Sequence, residues 1–153
     1  MTSLLAGVVT SGTGASARAL GVTGDAAGKT GTTNDARDAW FVGYSPGLLA
    51  LVWVGFDDNS PLGLSGAQAA LPIWADFMKQ AMAAYGTPGF VVPEGIAVAQ
   101  IDPTNGRLAT RYCPVVKPET FLVGTEPPAC TEHGGISGQM VDWWRRFRDW
   151  LRR

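Results

Sequence analysis

The sequence has 153 residues, 46% of them hydrophobic, and a formal net charge of −1. That is enough apolar material for one ordinary core, and the near-neutral balance excludes a molecule-wide field that would steer the chain toward nucleic acid or an acidic partner. There is no run of eighteen apolar residues and no charged, apolar and small-residue succession of a signal peptide at the N-terminus, which taken alone predicts a soluble, non-secreted chain.

In chain order, Leu4, Leu5, Val8 and Val9 share one face of a helix over residues 1–10, and Ser11-Gly12-Thr13-Gly14 ends it. Nothing before Met1 caps this helix or packs on it, so the chain is expected to begin inside a longer unit. After a glycine-rich connection, Ala26 to Thr33 reads as a strand, Asn34 to Arg37 as a turn, and Asp38 to Tyr44 as a second strand with Trp40, Val42 and Tyr44 on one face. Leu48 to Phe56, apolar on both faces, predicts a central strand covered from both sides. Three strands joined by short turns make an antiparallel meander. From Gly66 a covering helix is expected through Ala67, Ala70, Leu71, Trp74, Phe77, Met78, Ala81 and Tyr85, with Pro72 either a kink or the first turn. Trp40, Trp53, Trp74 and Phe77 are expected in the core.

Beyond Gly86 the composition becomes punctuated by Pro and Gly. Ile96 to Cys113 reads as a hairpin around Asp102-Pro103-Thr104-Asn105-Gly106, followed by a Pro-rich loop to Cys130 and His133. A terminal helix gathers Met140, Trp143, Trp144, Phe147, Trp150 and Leu151 opposite Arg145, Arg146, Arg148, Arg152 and Arg153, a pattern that suits either an anionic membrane surface or a protein partner. Asp57 and Asp58 are adjacent at a strand end and read as its solvent-facing terminator, not as a carboxylate pair.

The triplet Gly28-Lys29-Thr30 suggests a phosphate loop, but that loop needs a glycine five residues earlier and a helix after it. Position 23 is threonine, and Gly31-Thr32-Thr33-Asn34-Asp35 favours strand and turn. The other reading is Lys-Thr-Gly on a strand, an element of penicillin-binding proteins and serine β-lactamases. There Lys29 and Thr30 point to opposite faces, Gly31 lets a substrate backbone lie close, and the Thr32 amide is left for an oxyanion.

The longer strings GKTGTTND, RDAWFVGYSP and VWVGFDDN, with LLAGVVTSGTG upstream and GLSGAQAALPIWADFM and FLVGTEPPACTEH downstream, strongly resemble the end of the transpeptidase domain of class A, bifunctional penicillin-binding proteins. The resemblance runs from Leu4 to His133. It implies an α+β fold, an antiparallel meander covered by helices with a small β-rich tail, to which the periodicity of the last residues adds a terminal amphipathic helix outside the resemblance. The expected divisions are residues 1–86 for the transpeptidase part, 87–138 for the tail and 139–153 for the helix. It implies an enzyme that cross-links peptidoglycan stem peptides ending in D-Ala-D-Ala and is acylated by β-lactams. Lys29 and the Thr32 amide are then catalytic, Thr30, Gly31 and Thr32 bind substrate, and no cofactor or metal is assigned. The expected setting is the extracytoplasmic face of the cytoplasmic membrane, with the anchor outside this chain.

Neither Ser-x-x-Lys nor Ser-x-Asn, which that family carries before Lys-Thr-Gly, occurs anywhere in the sequence. The chain therefore reads as a fragment, inactive alone, with apolar sheet surface exposed to aggregation. The alternative is a non-catalytic module that binds peptidoglycan or a cell-wall partner. In an exported domain Cys113 and Cys130 are expected to close their Pro-rich loop as a disulfide, worth on the order of 3 kcal/mol. Two free thiols, or a metal site that adds His133 but lacks an obvious fourth ligand, are the other readings.

Overall fold

A computed structural model describes residues 1–133, and the expected terminal helix lies outside them. The chain forms two compact units, Met1–Val91 and Val92–Arg153. The first contains α1 (Thr2–Thr10), α2 (Ser16–Ala19), β1 (Ala27–Thr32), β2 (Ala39–Ser45), β3 (Leu48–Val54) and α3 (Ala70–Tyr85). Its sheet has the order β1-β2-β3 with both pairings antiparallel.

Alternation along β2 buries Ala39, Phe41, Gly43 and Ser45 on one face. Against that face α3 lays Leu71, Trp74, Ala75 and Met78, which with Val9 of α1, Ala17 of α2, Val22, Ala26 and Phe41 make one core. The tightest contact is at Gly43. A Cβ built there would stand 2.4 Å from the Trp74 ring, and the Trp74 Nε1–H donates to the Gly43 carbonyl at 3.2 Å. Phe41 completes the cluster, tilted against Trp74 with ring centroids 4.7 Å apart.

Several expectations need correction. β3 is not covered on both sides: Leu48, Ala50, Val52 and Val54 pack toward the core, whereas Leu49, Leu51 and Trp53 are exposed, because α3 lies over one face only. The covering helix starts at Ala70, so Pro72 falls in its first turn, where its missing N–H has no intrahelical acceptor to lose. The helical stripe is also rotated from the expected one. Ala75 and Met82 are buried, and Phe77 and Tyr85 are exposed. Of the four aromatics assigned to the core, Trp74 alone is fully buried. The glycine-rich connection before β1 contains the short helix α2.

The second unit has β4 (Ile96–Asp102), β5 (Arg107–Leu108) and β6 (Lys117–Leu122) in the order β5-β4-β6, all antiparallel. β6 was hidden in the sequence by Pro118, a residue at home on an edge strand because its missing N–H interrupts no central ladder. Leu108 bonds a further segment: its N–H donates to the Pro128 carbonyl at 3.1 Å and its carbonyl accepts the Cys130 N–H at 2.8 Å. Residues 128–130 are thereby held beside the β4–β5 turn.

Replacing Gly43 by alanine should cost about 1–3 kcal/mol through overpacking against Trp74, seen as a lower urea midpoint. Gly7→Ala, at a helical position with no atom within 4 Å of the new methyl, should hold or raise stability by up to about 1 kcal/mol.

Candidate functional site

Lys29, Thr30, Gly31 and Thr32 lie together on β1, which pairs with β2 on one side and has no strand neighbour on the other among the described residues. The register is Lys29 opposite Val42, Thr30 opposite Phe41, Gly31 opposite Trp40 and Thr32 opposite Ala39. The Thr33 N–H donates to the Asp38 carbonyl, on the β2 side, at 3.1 Å. Alternation along an extended chain then turns the Thr32 amide to the open edge.

Side chains around the strand are tied by hydrogen bonds. The Lys29 Nζ is exposed and donates to the Thr30 carbonyl at 2.7 Å. The hydroxyls of Thr30 and Thr13 lie 2.9 Å apart. Sequence reading had taken Thr13 only as part of a helix stop, and nothing in its spacing to residue 30 signals the contact. The Thr32 Oγ1 accepts the Gly66 N–H at 3.1 Å, which leaves its own proton for another acceptor. Gly66 itself is pressed against the strand pair. A Cβ on it would stand 2.2 Å from the Trp40 carbonyl oxygen and 2.5 Å from that of Gly31, so only glycine lets residues 65–66 approach here.

The floor of the β1–β2 turn is also built from side chains. The Asp38 N–H donates to Thr33 Oγ1 at 2.8 Å, the Thr33 hydroxyl donates to Asp38 Oδ2 at 3.0 Å, and the Trp53 Nε1–H donates to Asp38 Oδ1 at 2.9 Å. Asp58 accepts the Ser60 N–H at 3.0 Å. The Ser60 hydroxyl holds its carboxyl below the usual carboxylate range, as suits a strand terminator.

The second unit holds a separate cluster. Cys113 and Cys130 are free thiols in this structure, Cys130 buried and Cys113 half-buried. Their sulfurs gather with Asp102 and His133, with one ligand atom of each residue within 4.8 Å of the others. Asp102 is the member that sequence reading missed, since D-P-T-N-G was read only as a turn. Asp102 is fully buried. Its Oδ1 accepts the Thr104 N–H at 2.9 Å and the Thr104 hydroxyl at 2.6 Å, and its Oδ2 lies 2.6 Å from His133 Nδ1. The Thr104 hydroxyl, followed by the Thr104 amide, holds the Asp102 carboxyl down to about 2. The His133 backbone amide and the Asn105 side chain pull the Cys130 thiol down to about 7. Hydrogen bonding to Cys130 raises His133 above its ordinary value.

Comparison with known proteins bears on both units. Residues 92–135 match the family described as penicillin-binding protein 1A, C-terminal domain. The chain is 45% identical over 115 residues to penicillin-binding protein 1A of Aquifex aeolicus, which covers 73% of this chain and 16% of that protein. It is 43% identical over 134 residues to penicillin-binding protein 1A of Pseudomonas aeruginosa, covering 86% of this chain and 16% of that protein. The crystal structure of penicillin-binding protein 1A from Haemophilus influenzae is similar with a TM-score of 0.69 and 31% identity, over 82% of this chain and 20% of that one. The chain thus spans about a sixth of the length of the curated relatives it matches.

Thr32→Val removes the acceptor for the Gly66 N–H and should speed exchange of that amide roughly tenfold, as expected for a hydrogen bond worth about 1–1.5 kcal/mol. Thr32→Ser keeps the hydroxyl and should leave the exchange rate, read by NMR, near that of the parent.

Proposed function

The chain belongs to the class A penicillin-binding proteins, and from that membership we propose that β1 forms one wall of a D,D-transpeptidase site that cross-links peptidoglycan stem peptides. The observation that carries this is the placement of Lys-Thr-Gly on a strand edge that has no strand neighbour among the described residues, with alternate amides turned off the sheet. A stem peptide ending in D-Ala-D-Ala lies along that edge. Its terminal carboxylate takes hydrogen bonds from the hydroxyls of Thr30 and Thr32, and Lys29 supplies positive charge to the wall. The Thr32 amide donates to the carbonyl oxygen as it becomes an oxyanion, when a fixed donor is worth most. A β-lactam presents the same carboxylate and carbonyl and takes the same place.

Covalent catalysis also needs a nucleophile. With no Ser-x-x-Lys among its 153 residues, the chain contributes the binding wall and oxyanion donor, and the acyl bond forms on a serine that it does not itself carry. The residues 1–86 belong to the catalytic domain in this reading, and the site works at the outer face of the cytoplasmic membrane. No helix among the described residues is long and apolar enough to cross a membrane.

A chimera tests this directly: residues of this chain replace the matching segment of the Haemophilus influenzae protein, and acylation by fluorescent penicillin is timed. The chimera should be labelled, and Thr30→Val should slow labelling about tenfold to a hundredfold, the loss of one hydrogen bond to a charged group worth roughly 1.5–3 kcal/mol. Equal rates with and without Thr30→Val would remove the carboxylate role. The 153-residue chain alone should not be labelled; stable labelling that prior β-lactam blocks would show a nucleophile within it.

A further inference from the structure

We propose that Asp102, Cys113, Cys130 and His133 form a structural zinc site that closes the second unit, a reading independent of the transpeptidase assignment. The four ligand atoms lie within 4.8 Å of one another, and they are the right chemistry. Two thiolates, an imidazole and a carboxylate satisfy tetrahedral Zn²⁺, whose structural sites take four protein ligands and no open position.

The distances agree with one ion among them. Zn–S near 2.3 Å and Zn–N near 2.0–2.1 Å at the tetrahedral angle set a sulfur–nitrogen edge of about 3.5 Å. Cys130 Sγ and His133 Nδ1 are 3.5 Å apart, and Cys130 Sγ and Asp102 Oδ2 are 3.8 Å apart. Asp102 Oδ2 and His133 Nδ1, at 2.6 Å, are at hydrogen-bond distance, so the ion requires them to part by under about 1 Å to reach the oxygen–nitrogen edge. His133 is about a third exposed at its side chain and can make that movement.

The surroundings are those of a ligand set held in place by its neighbours. Asp102 spends Oδ1 on the backbone and hydroxyl of Thr104 and aims Oδ2 at the other three groups. Each sulfur already receives an N–H: Thr110 donates to Cys113 Sγ at 3.3 Å, and Asn105 Nδ2 donates to Cys130 Sγ at 3.3 Å. Donors of this kind stabilise thiolate ligands and fix their direction. A disulfide would engage the two cysteines alone, whereas a metal employs all four groups. Binding displaces the protons of both thiols and any proton on Nδ1 to solvent, and the ion takes up the four lone pairs. The ligands come from the end of β4, the loop after β5 and the turn at residues 130–133, so the ion would tie together the segments that the short β5 ladder holds only weakly.

The test uses the full chain purified with reductant, exposed to zinc, and dialysed against metal-free buffer. Mass spectrometric metal analysis should find one zinc per chain, and cobalt in its place should give thiolate-to-cobalt charge transfer with the intense visible bands of a tetrahedral site. Cys130→Ser should weaken zinc binding by at least on the order of a hundredfold. Should that variant fail to fold, the cobalt spectrum of the unmodified chain decides the question. Absence of stoichiometric zinc, an octahedral cobalt spectrum, or a Cys113–Cys130 disulfide in the chain isolated without reductant would overturn the site.

Discussion

The first unit depends on one contact: the indole of Trp74 lying where the side chain of residue 43 would otherwise be. Because Gly43 sits at the middle of β2, its lack of a Cβ lets α3 approach the strand closely, and the Nε1–H bond to the Gly43 carbonyl fixes the helix in register with the sheet. Phe41 and Met78 fill in around the ring. With β2 held in this way, the ladder sets β1, and the ladder places Lys29 opposite Val42 and Thr32 opposite Ala39. The β1 edge is therefore positioned from the core outward through backbone pairing, and the hydroxyls of Thr30 and Thr32 add ties to Thr13 and Gly66.

Residues at that edge show why the motif has its composition. Gly31 and Gly66 meet where a Cβ on Gly66 would strike carbonyl oxygens of both strands. Thr32 holds the same segment through its hydroxyl while turning its amide away from β2. One residue thus anchors a loop through its side chain while its amide faces away from β2. Thr13, whose hydroxyl meets that of Thr30, ties the end of the first helix to the same strand.

Much of this was legible in the sequence, and the failures have physical causes. The Lys-Thr-Gly strand and its neighbour were readable because period-two alternation and the turn residues Asn34 and Asp35 agree on the same assignment. The exposure of Leu49, Leu51 and Trp53 was not, since an apolar run records which side chains are hydrophobic but not which face finds a partner. The helix boundary at Ala70 was blurred by small residues upstream that are compatible with helix or turn. β6 was concealed by Pro118, and Asp102 by its place in a turn sequence that explains itself without any ligand. Cys113, Cys130 and His133 were visible as potential ligands. Asp102 joins them where the pairing of Leu108 with residues 128–130 holds those residues beside the end of β4.

The two units carry different kinds of organisation. In the first, an apolar core positions a strand edge; in the second, a small three-stranded sheet with many exposed apolar residues, among them Val98, Leu122 and Val123, lies beside a partly buried polar cluster. For the first unit we propose that the β1 edge receives the carboxylate and carbonyl of an acyl donor. The most direct measurement is a crystal structure of a longer protein that contains this chain together with a Ser-x-x-Lys segment, acylated by a β-lactam. The drug carboxylate should lie about 2.7–3.1 Å from the Thr30 and Thr32 hydroxyls, with the carbonyl oxygen of its acyl ester at the same distance from the Thr32 amide. A drug whose carboxylate is bound elsewhere, with the β1 edge unengaged, would contradict it.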